Sequence, residues 1–162
     1  MADGRRIVEA TADTREIPAS RALCFQVVTD MERYPEWASD VKDVTVLERD
    51  RDGRPSLVSF RAGAFGRSAS YTLAYDYTSA PQELRWHQVA GDVTSRMDGR
   101  YAFDESGEQS TLVTYELAAE LVVPLPSFVK RRAEVKIIRT ALEDLAARVA
   151  TLAHGAQGSD RR

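Results

Sequence analysis

The 162-residue sequence holds a single cysteine, Cys24, and only two histidines, His87 and His154. One thiol excludes an intramolecular disulfide, and in its apolar surroundings Cys24 reads as a small core residue. No Cys or His pair has metal-ligand spacing, so neither a structural nor a catalytic zinc site is expected. Long hydrophobic runs are missing as well, including behind the amino terminus Met1 to Arg6, where a secretory signal would need one. The expectation is a cytoplasmic protein with no stable membrane insertion. Neither charge dominates: acidic and basic residues are mixed along the chain, with a net of -3, which gives no broad cationic surface for nucleic acid. The local run Lys130-Arg131-Arg132 reads as the solvated side of a helix.

Motifs that carry chemistry are equally scarce. No glycine-rich loop follows a strand and opens a helix, no Gly-x-Ser-x-Gly elbow occurs, and Cys24 has no evident base partner. Asp92 and Asp98 flank a strand start at a spacing ordinary for turns. No catalytic residue is assigned, and no cofactor is implied.

What the chain does contain is strand-like alternation followed by a long amphipathic helix. Ile7 to Ile17 reads as an opening strand; Pro18 restricts the backbone at its end, and Ser20 is placed as the N-cap of a helix from Arg21 to about Thr29. Leu23 and Val27, with Cys24 and Val28 beside them, should face a sheet. Thr29 and Glu32 have capping-box spacing for a second short helix ending near Pro35, leaving Tyr34 and Trp37 at a bend.

From Val41 a strand-and-turn rhythm takes over. Arg51-Asp52-Gly53-Arg54-Pro55 reads as a hairpin connection, Leu57 to Arg61 as a strand, and Gly63-Ala64-Phe65-Gly66 as a flexible loop. Period-two spacing places Tyr71, Leu73, Tyr75 and Tyr77 on one side of the next strand. Leu84, Trp86 and Gln88 share another, Met97, Tyr101 and Phe103 a third, and Asp104 to Glu108 forms a turn before Thr111 to Leu121. Val113, Tyr115, Leu117, Ala119 and Leu121 alternate there.

Pro124 and Pro126 stop the last strand, and Ser127 could cap the terminal helix, expected over Pro126 to Leu152. Val135, Ile138, Leu142, Leu145, Val149 and Leu152 recur at steps of three and four, while Arg131, Glu134, Arg139, Glu143 and Arg148 occupy the rest of the surface. Burying six such side chains contributes on the order of 10 kcal/mol before entropy, so deletion after Phe128 should unfold the protein. The length suits one domain, residues 1–153, with a flexible polar tail over 154–162. The fold class is α+β: a curved antiparallel sheet of about seven strands around a C-terminal helix.

The unusual surplus is aromatic. Trp37, Phe65, Tyr71, Tyr75, Trp86, Tyr101 and Tyr115 are candidates to line or border an internal pocket, because buried tyrosine hydroxyls need partners that a partly polar cavity supplies. Arg61, Arg67 and Arg96, near strand and loop boundaries, are candidate polar anchors at its mouth.

The stretch Val28-Thr29-Asp30-Met31-Glu32-Arg33-Tyr34-Pro35-Glu36-Trp37, the strand Val44-Thr45-Val46-Leu47-Glu48 and the approach Phe128-Val129-Lys130-Arg131-Arg132 to the last helix resemble the START-like superfamily, in its polyketide cyclase/dehydrase and coenzyme Q-binding branch. The resemblance covers about Arg6 to Val149. It implies a helix-grip fold, with Trp37 and Phe65 near the entrance of an elongated pocket and the other aromatics on its wall. The leading expectation is binding or carriage of an apolar small molecule: a lipid, an isoprenoid quinone or a polyketide-like aromatic. A cyclase or dehydrase promoting aldol closure is the alternative, a ribosome-associated interaction protein a third. Enzymatic activity stays open, as does the choice between monomer and homodimer.

Overall fold

A computed structural model describes residues 10–160, with side chains described as far as residue 155. The elements, in chain order, are β1 (Thr11–Ile17), α1 (Arg21–Thr29), a 3-10 turn (Met31–Arg33), α2 (Tyr34–Trp37), β2 (Val41–Arg49), β3 (Pro55–Ala64), β4 (Arg67–Asp76), β5 (Glu83–Gly91), β6 (Thr94–Gly107), β7 (Ser110–Leu121) and α3 (Ser127–Asp160). All seven strands form one antiparallel sheet in the order β1-β7-β6-β5-β4-β3-β2. The first strand therefore lies against the last, with Thr11 opposite Leu117 and Ile17 opposite Thr111. Long α3 packs across β1, β7 and α1, giving an α+β helix-grip fold.

Sequence explains most of these boundaries. Ser20 caps α1 by accepting a hydrogen bond from the Leu23 N–H at 3.2 Å, and Cys24, Val27 and Val28 are buried beneath that helix. Ile138, Leu142, Leu145 and Val149 form the sealed stripe of α3; Val135 is half-buried, and Leu152 is exposed.

Several expectations need correction. The Thr29 hydroxyl donates back to the carbonyls of Phe25 and Gln26, so it finishes α1 and caps nothing after it. Pro35 sits in the first turn of α2, where a missing N–H costs nothing, and so opens a helical turn where an end was expected. Gly63 and Ala64 continue β3, and Phe65 and Gly66, with φ of 53° and 78°, make a tight two-residue turn in place of a flexible loop. β6 runs on to Gly107, leaving only Glu108 and Gln109 between it and β7. α3 continues past Leu152 to Asp160. The expected strand start at Ile7, the reading of Met1 to Arg6 and the side chains of the polar tail beyond Gly155 lie outside the described residues.

Glu134 is the largest correction, because it is buried at 2% exposure and not on the solvated face. Its carboxylate accepts from the Thr11 hydroxyl at 2.7 Å and the Ala119 N–H at 3.2 Å, with Lys130 Nζ 3.7 Å away. Lys130 in turn donates to the Ala119 carbonyl at 2.8 Å. Together these bonds tie the start of α3 to β1 and β7, satisfying a charge that would otherwise be costly in the core.

Candidate ligand-binding site

Between the concave face of the sheet and the first half of α3 lies a cavity of about 120 Å³. Alternation builds its walls. Phe60 and Ala62 face inward from β3, Tyr71 and Tyr75 from β4, Leu84 and Trp86 from β5, Met97 and Tyr101 from β6, and Tyr115 and Leu117 from β7. Tyr34, Trp37 and Asp40 close it from α2 and the link to β2, and Ile137, Thr140 and Asp144 from α3. Leu84, Trp86, Tyr101 and Leu117 are buried at its floor, whereas Trp37, Asp40, Gly63 and Asp144 keep contact with solvent at its rim. The rim is fastened where Asp144 accepts from both the N–H and the hydroxyl of Ser39, at 2.8 and 2.7 Å.

The rings support one another edge to face and stacked. Tyr101 and Tyr115 lie 4.7 Å apart between centroids, Trp86 sits 5.6 Å from Tyr115 and 5.9 Å from Tyr75, and Phe60 bridges Tyr71 at 5.5 Å and Tyr34 at 6.1 Å. Trp86 occupies its place only because Gly99 stands opposite it in β6. A Cβ at Gly99 would strike the indole at Cζ2, Cε2 and Nε1, the last at 2.7 Å.

The hydroxyls divide into two groups. Tyr34 donates to the Val28 carbonyl, and Tyr77 to that of Pro55 at 2.7 Å, so both are tied to the frame. Among the described residues, the hydroxyls of Tyr71, Tyr75, Tyr101 and Tyr115 have no hydrogen-bond partner, yet their oxygens are not sealed off, so they open on the cavity they line. Burial holds these phenols protonated: Tyr71 is pushed up to about 12, and Tyr75, Tyr101 and Tyr115 rise well above the ordinary tyrosine value. At neutral pH they are donors and not bases.

A family model described as polyketide cyclase / dehydrase and lipid transport matches residues 17–146. The chain belongs to this family. Among solved structures, a START superfamily protein from Mycobacterium smegmatis superposes with a TM-score of 0.84 at 26% identity, over 88% of this chain and 98% of that one. A Thermus thermophilus protein gives 0.74 at 22% over the same shares, and the Zhui aromatase/cyclase of a Streptomyces species 0.74 at 13%, over 88% and 93%. Below 25% identity these likenesses show the fold alone. No curated protein matches the sequence.

Within this polyketide cyclase/dehydrase frame, the structure brings Trp37, Tyr71, Tyr75, Trp86, Tyr101 and Tyr115 together around one cavity. Phe65 is outside that lining, at the β3–β4 turn beyond the strand positions that face the cavity. The three arginines are outside as well. Arg61 alternates with inward Phe60 and Ala62, so it faces out and pairs with Asp43 at 2.6 Å. Arg96 alternates with Met97 and pairs with Asp98 at 2.7 Å and Glu120 at 3.7 Å. Arg67 has inward parity with Ala69 and Tyr71, but it stands exposed at the turn. Tyr34, placed by the sequence beside Trp37 at a bend that could pack or border an opening, does line the cavity, whereas Asp40, Thr140 and Asp144 were missed because they reach it from a helix and a link where period two gives no signal. Among the described residues there is no cluster able to hold a metal, and no helix long and apolar enough to cross a membrane.

Proposed function

We propose that this protein binds a neutral, largely apolar small molecule carrying oxygen acceptors, of the quinone or polyphenol kind, in the cavity between the sheet and α3. The observation that carries the reading is the set of unpartnered tyrosine hydroxyls around an otherwise apolar chamber. Each is a donor waiting for an acceptor, and a guest carbonyl or ether oxygen would supply one. Charge narrows the class further. Among the described residues, the only ionisable side chains of the lining other than tyrosine are the carboxylates Asp40 and Asp144, with no cation to meet a carboxylate-bearing guest. Size also decides something: about 120 Å³ is close to a cavity that takes one benzene ring and well below the roughly 300–1,000 Å³ of drug-sized sites. One ring would sit inside, with any chain leaving past Trp37 and Asp40.

Titration of neutral phenols and quinones against carboxylates of equal size, with native mass spectrometry of the purified protein, tests this reading. The neutral series should bind, and Tyr101→Phe with Tyr115→Phe should weaken it about tenfold, as loss of one or two hydrogen bonds implies, with no loss of thermal stability. Absence of binding across the panel, or a preference for carboxylates, would reject it.

A second reading, aldol-type ring closure of a polyketide chain, has one observation in its favour. Protonated tyrosine donors line the interior while Asp40 and Asp144 stand at the rim, so carbonyl polarisation and a proton acceptor share one cavity. It requires a cyclised product that disappears with Tyr101→Phe and survives Arg61→Ala.

A further inference from the structure

Among the described residues, nothing covers the segment joining β7 to α3. Every residue from Val122 to Phe128 is exposed, and four of them are large and apolar: Val122 at 57%, Val123 at 67%, Leu125 at 38% and Phe128 at 67%. Single exposed apolar side chains are ordinary, but this density makes a patch. On α3, Phe128, Arg131 and Arg132 are three and four residues apart and so share a face, which Lys136 extends by another turn. All three cations are exposed, and among the described residues none has a carboxylate at ion-pair distance. On a chain of net charge -3 this local concentration is opposite to the whole.

We infer that this end of the molecule docks on an anionic lipid surface. Val122, Val123, Leu125 and Phe128 enter the interfacial layer, and Arg131, Arg132 and Lys136 lie against the headgroups. An apolar segment beside a cationic helix face matches an acyl layer beneath anionic headgroups, which favours lipid over a protein partner. The backbone suits the headgroup depth: Pro124 and Pro126 have no N–H, the Val122 N–H is bonded to the Val93 carbonyl at 2.9 Å, and among the described residues those of Val123, Leu125, Ser127 and Phe128 are left for water and headgroup oxygens. The Pro126 carbonyl is likewise taken, by the N–H groups of Val129 and Lys130. Nearby acids are engaged, Glu120 facing Arg96 at 3.7 Å and Asp92 accepting from the Ser70 N–H at 2.9 Å.

Position gives the surface a use. Thr94 opposite Leu121, Gly91 opposite Tyr71, and Gly63 opposite Ser68 place the β5–β6 turn, the β7–α3 segment and the β3–β4 turn at one end of the sheet. Val41 pairs with Ala62, so Asp40 at the cavity rim is at that end too. A docked molecule would present the rim side of its cavity near the membrane. This goes beyond the ligand reading and does not depend on it.

Co-sedimentation with ligand-free vesicles tests the docking, using phosphatidylcholine alone and with roughly one-third phosphatidylglycerol. The wild-type protein should bind the anionic vesicles, more weakly at high salt, and scarcely bind the neutral ones. Val123→Asp with Phe128→Asp should cut binding at least about tenfold, and Arg131→Glu with Arg132→Glu comparably. Leu47→Asp, at another exposed apolar position, on β2, should change nothing. Circular dichroism and the melting temperature should be unchanged in all variants, since the altered side chains touch no core. Failure of the folded wild-type protein to bind anionic vesicles would overturn the inference. So would equal loss with Leu47→Asp, or a wild-type dimer that Phe128→Asp dissociates in the absence of vesicle binding. Because the vesicles contain no cavity ligand, either result leaves the titration of neutral phenols to stand or fall by itself.

Discussion

The concave face of the sheet has a filled half and a hollow half, and β6 and β7 contribute to both. Under α1 and the later turns of α3, Phe103, Ile17, Val113, Leu145 and Val149 meet with at most 1% exposure. Under the earlier turns of α3, Tyr71, Tyr75, Trp86 and Tyr115 surround open space. Tyr101 stands on the boundary, its ring stacked on Phe103 at 5.8 Å and its hydroxyl on the hollow side. Those filled-half side chains are hydrocarbon, and the buried Thr111 hydroxyl beside them is satisfied by the Ala19 carbonyl at 2.8 Å, so this half can close completely. The hollow half cannot close without burying unpaired hydroxyls, at about 1–3 kcal/mol each. The chamber is thus a consequence of where tyrosine replaces phenylalanine, leucine or valine along strands of one pattern.

Alkali should act on the hollow half with the largest effect. All six tyrosines are raised above the ordinary value by burial, so the folded state disfavours phenolate. A raised folded value means that stability is fully present below the unfolded value near 10 and is lost as pH rises through the folded one, about 12 for Tyr71. Phenolate absorbance should stay low at about pH 10 and appear together with unfolding; independent ionisation of the folded protein there would contradict this account. Next in size, Phe103→Ala empties a sealed site in the filled half and should cost about 3–5 kcal/mol by denaturant titration. A loss below about 1 kcal/mol would show that the filled half is as slack as the other. Smallest is Gly99→Ala, which drives a methyl into the Trp86 ring and should cost about 1–3 kcal/mol while altering tryptophan fluorescence. Unchanged emission would mean that the indole does not lie on Gly99.

Period-two alternation made the sheet legible, along with the inward set Tyr71, Tyr75, Trp86, Tyr101 and Tyr115. The same alternation, applied to Arg61 beside Phe60 and to Arg96 beside Met97, turns both arginines outward; charge had drawn attention to them where parity excluded them. Glu134 was misplaced for a related reason. It precedes Ile138 by four residues and so belongs to the buried stripe of α3, but a carboxylate is read as solvated until its partners, Thr11 and the Ala119 N–H, are known. Those partners come from β1 and β7, far from it in sequence, and no local pattern announces them. Gly99 was invisible for the same reason, since its role exists only once β5 is set against β6.

The pairing of β1 with β7 also governs when the molecule can come into being on the ribosome. Thr11 waits for Leu117, and the wall that β7 contributes has no covering until α3 has come after it out of the exit tunnel. Until then the nascent sheet lacks its helical cover, leaving its tyrosine-rich side bare. Assembly of the chamber is consequently a late, single event in biosynthesis, and a truncated chain would inherit the sticky surface without the capacity to hold a guest.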